Sequence, residues 1–418
     1  MPLAVSRDEG GHVPADGAGV GRGRGAGIGT AASAGPLLTR SLTLVLIAAF
    51  VAFLNVNLLL PVLPVFAAKL GGGDFLAGLS TTVFMLATVL AQLRTPRLLA
   101  RIGYGPALVA GLLLLGAPGV VYLWISSPSA ALLVTLPRGV GFGIVTVAFA
   151  ALVAEVVPAG RRGEGIGLYG LASTLPAVFG LPLGVWTAEN VSFGAVFLVG
   201  ALAAPVGAGC VLAARVRTAR PPGDAAGFLA GLARGELLRP FLAFLSTTLA
   251  TGVLVTFLPL VAPGSGVGSA AAALLAWGVT QSVARLWAGR FSDRFGAQRL
   301  LVPSLALNGV GMVFIGFSGN ATLLLLGATI NGFGFGVFQN AVMSVLVGRV
   351  EREEYGMVST LWNVGFDAGA GLGPLLLGAL VSGAGFAPTA AASAVLIFAS
   401  VGLIIPSGKH KPGRPPRG

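Results

Sequence analysis

The sequence predicts an all-α membrane protein: twelve transmembrane helices in two similar six-helix bundles. Three observations predict it, namely sustained hydropathy, one-sided placement of Lys and Arg, and an internal repeat. The 418 residues have a mean hydropathy of +0.90, with 55% hydrophobic and only 10% charged residues. A soluble chain of this size would need far more polar surface to cover its core. Apolar stretches of about 20 residues recur along nearly the whole length, as spanning helices require. The runs are continuous rather than alternating at period two, which favours helices over a barrel.

Twelve spans are predicted, at about 42–68, 75–96, 104–125, 129–156, 163–187, 192–214, 238–262, 267–289, 298–318, 321–348, 356–382 and 385–406. With both ends of the chain on the inner side, the inner segments hold every Lys and Arg except Lys69, Arg138 and Arg285. Such asymmetry orients the chain with both termini cytoplasmic, in the cell's inner (plasma) membrane, and it fits only an even number of spans. The net charge of +12 is therefore read as anchoring beside anionic lipid, not as nucleic-acid binding.

The expected organisation is a disordered cytoplasmic tail (1–40), a bundle (41–214), a cytoplasmic linker (215–237), a second bundle (238–407) and a basic tail (408–418). Pro221, Pro222 and Gly223 break any helix entering the linker, whose remainder can lie on the membrane face as an amphipathic helix. No apolar stretch opens the amino tail, so no cleavable signal peptide is expected. GVGRGRGAGIG (19–29) follows no strand and is not read as a nucleotide loop. His12 and His410 lie in the tails, so no histidine metal site is expected among the spans, and the lone Cys210 forms no intrachain disulfide. No metal and no other cofactor is expected, and a monomer is.

The halves echo each other. PRLLARIGYG (96–105) aligns with GRFSDRFGAQ (289–298), and RGVGFG (138–143) with NGFGFG (331–336), both at an offset of 193 residues. Gly180 and Pro182 lie near the counterparts of Gly371 and Pro374. Two six-helix repeats of parallel topology, joined by a cytoplasmic linker, are one of the ways in which secondary transporters are built.

On these residues the chain resembles the major facilitator superfamily over about 41–407. The inner loop of form G-x-L-x-D-R-x-G carries the likeness. Gly289, Phe291, Asp293, Arg294 and Gly296 fit it in the second half. In the first half Leu98, Arg101 and Gly103 remain, but Pro96 replaces the first glycine and Ala100 the acid. The resemblance implies an inner-gate latch: Asp293 would face the start of span five near Arg161, Arg162 and Gly163. A carboxylate suits a helix amino terminus, whose unpaired N–H groups attract anions. The alternative is a tight turn whose arginines face lipid headgroups.

Charges within spans are costly and point to a partner or a cavity. Asp367, near the middle of span eleven, is the candidate proton-coupling residue, with Asn363 one turn earlier on the same face. Arg138 resembles the family's intramembrane arginine. It can bind an anionic group, pair with Asp367, or serve packing. Arg285 either snorkels or lines the cavity with Gln281. Glu155 is expected to be solvated or paired with Arg161 or Arg162. The resemblance places spans one, four, seven and ten around a cavity, so Asn55 or Asn57, and Asn331, Gln339 and Asn340, are candidate lining residues. Tyr169 and Trp362 can stack on an aromatic or apolar substrate, or simply pack.

The functional expectation is a secondary exporter of a small, largely apolar or weakly charged compound, working by proton antiport and alternating access between the bundles. No nucleotide-binding loop is recognised, so coupling falls to a gradient. FGLPLG (179–184) in span five partly matches the glycine–proline mark of the drug-efflux branch. The alternative is a proton-coupled importer of a small nutrient or metabolite, and a third reading is a non-transporting membrane sensor. No enzymatic site is recognised: no H-E-x-x-H and no histidine triad occurs in the spans.

Overall fold

The computed structural model describes residues 38–157, 161–215, 231–262, 269–351 and 354–405. The two tails and most of the linker lie outside the described residues. Among those described, the chain forms twelve long helices. They are α1 (Arg40–Leu59), α2 (Gly73–Ile102), α3 (Tyr104–Gly116), α4 (Pro128–Val156), α5 (Arg162–Asn190) and α6 (Phe193–Ala214), then α7 (Gly235–Val261), α8 (Ala270–Phe295), α9 (Gln298–Ile315), α10 (Ala321–Val347), α11 (Tyr355–Ala384) and α12 (Phe386–Ile404). Short helical pieces at Val62–Ala67 and Ala68–Gly72 prolong α1, and Pro118–Val121 prolongs α3.

Local sequence explains many of the boundaries. Thr39, Ser127, Ser192, Ser269 and Asn320 each accept the backbone N–H three residues on, which caps α1, α4, α6, α8 and α10. Among the described residues ten segments are long and apolar enough to cross a membrane, and one of them, Arg40–Ile102, runs through both α1 and α2. Within it Gly71 (φ 92°) and Gly73 (φ 59°) break the helix, in conformations that glycine adopts without strain. The remaining helix, α8, is less apolar because it holds Gln281, Arg285, Arg290, Asp293 and Arg294. Leu133, Leu202, Leu212, Leu376 and Val395 are all more than 60% exposed, as a hydrocarbon-facing surface requires.

Two predicted edges move. Hydropathy ends span two near 96 and span eight near 289, but α2 continues to Ile102 and α8 to Phe295. Hydropathy marks where hydrocarbon stops, whereas a helix runs on through the interface until its backbone is interrupted. The interruptions are Gly103 (φ 80°) and Gly296 (φ 88°), the closing glycines of the two loop motifs.

The internal repeat is visible in the packing. In the first bundle α2 and α3 pack on α4, α5 and α6 on α1, and α3 on α6. In the second, α8 and α9 pack on α10, α11 and α12 on α7, and α9 on α12. Each pair recurs six helices later. Glycines set the close approaches: a β-carbon on Gly139 or Gly143 would strike α2, and one on Gly141 would strike α3. Gly332, Gly336 and Gly334 repeat this against α8 and α9. Small residues let helix backbones touch where lipid offers no hydrophobic drive.

The bundles meet along α2–α11 and α5–α8. Thr81 Oγ1 and Thr256 Oγ1 share a hydrogen bond of 2.9 Å, and Thr82 Oγ1 donates to the Gly371 carbonyl at 2.8 Å. Gly78 abuts Pro374 and Phe257, and Gly278 abuts Val178. These contacts lie in the half of the interface remote from the Gly103 and Gly296 loops.

Candidate functional site

Arg138 is 1% exposed. Its Nε donates to the Leu115 carbonyl at 3.1 Å and its Nη2 to Asn55 Oδ1 at 3.0 Å. Asn55 in turn donates to the Gly200 carbonyl at 2.6 Å, so α1, α3, α4 and α6 converge on one guanidinium. The cation stands 5.7 Å from the Phe84 ring and 5.8 Å from that of Tyr122. Such faces attract a desolvated cation. Its Nη1 has no partner, and among the described residues no carboxylate pairs with it. Arg138 borders a narrow recess, otherwise lined by groups that include Val56, Leu60, Ser80, Thr81 and Phe84.

The second bundle places Asn331 at the matching point. Its Nδ2 donates to the Asn308 carbonyl at 2.9 Å, and Asn308 Nδ2 returns a bond to the Asn331 carbonyl at 3.2 Å. Trp277 Nε1 donates to Asn331 Oδ1 at 2.9 Å. Trp277 and Asn308 stand where Phe84 and Leu115 stand in the first bundle, at the same offset of 193 residues. Asn55 and Asn331, expected to line a cavity, are 1% and 2% exposed and are consumed by these packing networks. Their direction follows from the neighbours: α6 and α4 receive Asn55, and α8 and α9 receive Asn331. Asn57 bonds the Phe53 carbonyl at 2.8 Å and packs beside Gly180 of α5.

Asp367 is 5% exposed and sits where α11 meets α2. Its Oδ2 accepts a hydrogen bond from Gln92 Nε2 at 2.6 Å, across 275 residues of sequence. Gln92 is 4% exposed, and its Oε1 has no partner. Arg138 and Asp367 therefore hold different partners, and the pairing considered from sequence is not made. Asn363 turns back to the Ser359 carbonyl at 2.8 Å.

A polar stripe follows α8. Gln281 Nε2 donates to Gln339 Oε1 at 3.3 Å, and Asn340 Nδ2 lies near Gly289. Between these two levels, half-buried Arg285 forms no hydrogen bond or ion pair with any described residue. Asn340 Oδ1 and Trp362 Nε1 are buried and unpartnered. Trp362 stacks against Phe244 (5.4 Å) and Phe366 (5.8 Å) in a three-ring cluster, whereas Tyr169 donates to the Thr146 carbonyl at 3.2 Å.

At the loop motifs, Asp293, Arg294 and Arg101 are exposed. Arg294 lies over the Phe295 ring at 5.2 Å. Asp293 forms no hydrogen bond or ion pair with a described residue, although α8 does pack on α5. Arg161 pairs with Glu164 at 2.8 Å, and exposed Glu155 lies beside the Tyr104 hydroxyl. The side chains of Arg162 and Gly163 lie outside the described residues. Nearby, Arg234 and Glu354 form a two-bond ion pair at 3.0 and 2.6 Å. Its hydrogen bonds hold the Glu354 carboxyl below the usual carboxylate range.

A family model for the Major Facilitator Superfamily matches residues 45–279 and 240–418. The chain belongs to that superfamily. It is a multi-pass membrane transporter. An uncharacterized MFS-type transporter of Methanocaldococcus jannaschii, MJ1560, is 27% identical over 138 residues, which are 33% of this chain and 36% of that protein. The match therefore spans about a third of that relative. Among solved structures, the xylose transporter XylE of E. coli superposes with a TM-score of 0.69 at 12% identity, covering 89% of this chain and 98% of XylE. A bacterial homolog of the human lysosomal transporter Spinster gives 0.70 at 14% identity, over 89% and 97%. The human organic anion transporter MFSD10 gives 0.65 at 19% identity, over 88% and 99%. At these identities the likeness is one of fold.

Gln92, Thr81, Thr82, Thr256 and Asn308 were not singled out from sequence. Asn308 carried a signal, because it is the polar counterpart of Leu115 in the repeat. Gln92 carried only its polarity within an apolar run.

Proposed function

We propose that this transporter exports a small, largely apolar or weakly charged compound in exchange for protons, by alternating access between its bundles. One observation carries the reading. Asp367 is a buried carboxyl at the junction of the bundles, with a neutral amide and no cation as its partner. A carboxyl so placed can bind and release a proton as water reaches it from one side and then the other. Half-buried Trp362 and Phe366 supply apolar surface beside the polar stripe. The energy source is a proton gradient, and both termini face the cytoplasm.

A specific feature refines the substrate. Arg285 has no carboxylate partner among the described residues, and neither has Arg138. A compound bearing one negative group would supply a counter-charge, and MFSD10 is named as an organic anion transporter.

A compound-susceptibility panel in a transporter-deficient host tests the proposal. Wild type should protect against some compounds and Asp367→Asn should lose that protection. Equal protection by both would remove Asp367 from the mechanism. Counterflow in oriented vesicles with the pH gradient reversed separates export from import.

A further inference from the structure

Three hydrogen bonds between the bundles fall in order along α2: Thr81 with Thr256, Thr82 with the Gly371 carbonyl, and Gln92 with Asp367. The last lies nearest the motif loops, ~15 Å beyond Thr82 at 1.5 Å per residue. It is also the only one of the three that involves a titratable group.

The amide of Gln92 has a donor and an acceptor to satisfy. Its Nε2 bonds Asp367 Oδ2 at 2.6 Å, while its Oε1 is buried without a partner. A carboxylate can only accept, so it leaves that carbonyl empty. A carboxylic acid has an O–H to give, and the two groups then close a reciprocal two-bond ring. Reversing the amide changes nothing, since the ring still needs the acid proton.

We propose that Gln92 is the positioning residue that turns protonation of Asp367 into a bond between the bundles. The acid–amide clamp closes when the proton is on, adding the Asp367 O–H to Gln92 Oε1 bond to the Nε2 to Oδ2 bond seen here. It loses one hydrogen bond when that proton passes from Asp367 to water. The inference rests on the reading of Asp367 as the coupling residue, and it adds the part that feels the proton. Proton loss frees the bundles to rock and reprotonation resets them.

No other charge intrudes. Of the helices packed on α11, α10 and α12 carry no charged residue. α7 carries Glu236 and Arg239, more than two turns from Thr248, which meets Gly369. α2 carries Asp74 at one end and Arg94, Arg97 and Arg101 at the other, of which Arg94 bonds the Leu90 carbonyl. None of these makes a hydrogen bond or ion pair with Asp367.

The test is a distance measurement by electron–electron resonance between spin labels at exposed Arg97 and Tyr355, in a Cys210→Ser chain in lipid nanodiscs. From about pH 8 to about pH 5 the population with the separation seen here should rise about fivefold, the value of one added hydrogen bond. Gln92→Met should flatten that response. Asp367→Asn, whose amide pairs reciprocally with Gln92, should hold the acid population at both pH values, and Gln92→Met added to it should release it. The clamp is wrong if wild type shows no pH response, if Gln92→Met keeps it in full, or if Asp367→Asn responds as wild type does. The last comparison stands even where Gln92→Met fails to fold. Proton movement in proteoliposomes separates the two levels. Proton movement by wild type, with an undiminished response in Gln92→Met, sinks the clamp alone. Wild-type proton movement by Asp367→Asn sinks the coupling reading beneath it.

Discussion

Arg138 and Asn331 occupy the same place in two bundles that share their helix contacts and their glycine contacts. Around Asn331 the described polar groups bond one another, Trp277 donating in and Asn308 exchanging bonds both ways, with the neutral Asn308 Oδ1 left without a partner. Around Arg138 the charge is buried with one nitrogen unused, beside a recess. Each network leaves one buried polar atom unpartnered, but only the first leaves it on a charge, which is costly in the membrane and points to a partner still to be bound. The repeat has kept the backbone and let the chemistry diverge, so the second bundle shows what the first would be as scaffold alone.

The sharpest break of the comparison is Arg138→Asn, which makes the first site resemble the second. Transport should fall by about 100-fold or more, the order seen when a preorganised donor is lost, while the purified protein still folds. Near-normal flux would make Arg138 a packing residue. Asn331→Leu should do the reverse. It strands Trp277 Nε1 and part of Asn308, costing roughly 2–4 kcal/mol, while residual protein keeps its proton coupling. A thermal melt and a flux assay on the same sample separate these outcomes.

Glycine changes should respect the symmetry. Gly139→Val and Gly332→Val each drive a side chain into a neighbouring backbone, so matched losses of about 1–3 kcal/mol are expected. A large loss in only one bundle would mean that the shared packing is not shared energetically.

The loop motifs should behave unequally, because only the second has its acid. Asp293→Asn should slow transport by up to about thirtyfold, the upper range of a helix-terminus charge effect. Changes at Ala100 should do far less, and equal activity of Asp293→Asn and wild type would remove the latch. The smallest effect belongs to the exposed Arg234–Glu354 pair. Because Arg234 lowers the Glu354 pKa, the pair's contribution is present above the ordinary carboxylate range and lost as pH falls through the lowered value. Glu354→Gln should lower the melting midpoint slightly at neutral pH, and that difference should vanish in strong acid.

Much of this was legible from residue order. The spans follow from hydropathy, and the repeat from the matched RGVGFG and NGFGFG stretches, whose glycines do sit at equivalent contacts. Helix ends were less legible, because α2 and α8 continue past the hydrocarbon boundary until Gly103 and Gly296 interrupt them. Lining residues were the least legible. A helical position fixes the direction of a side chain on its own helix but not which neighbour it meets. Asn55 and Asn331 therefore turned out to serve packing networks, and Gln92 gave no local sign of a partner 275 residues away.

The most direct test of the account is a count of protons moved per substrate in proteoliposomes, using a compound found in the susceptibility panel. Wild type should move protons against substrate, and Asp367→Asn should still exchange substrate for substrate without moving protons. Equal proton movement by the two proteins would contradict the account at its centre.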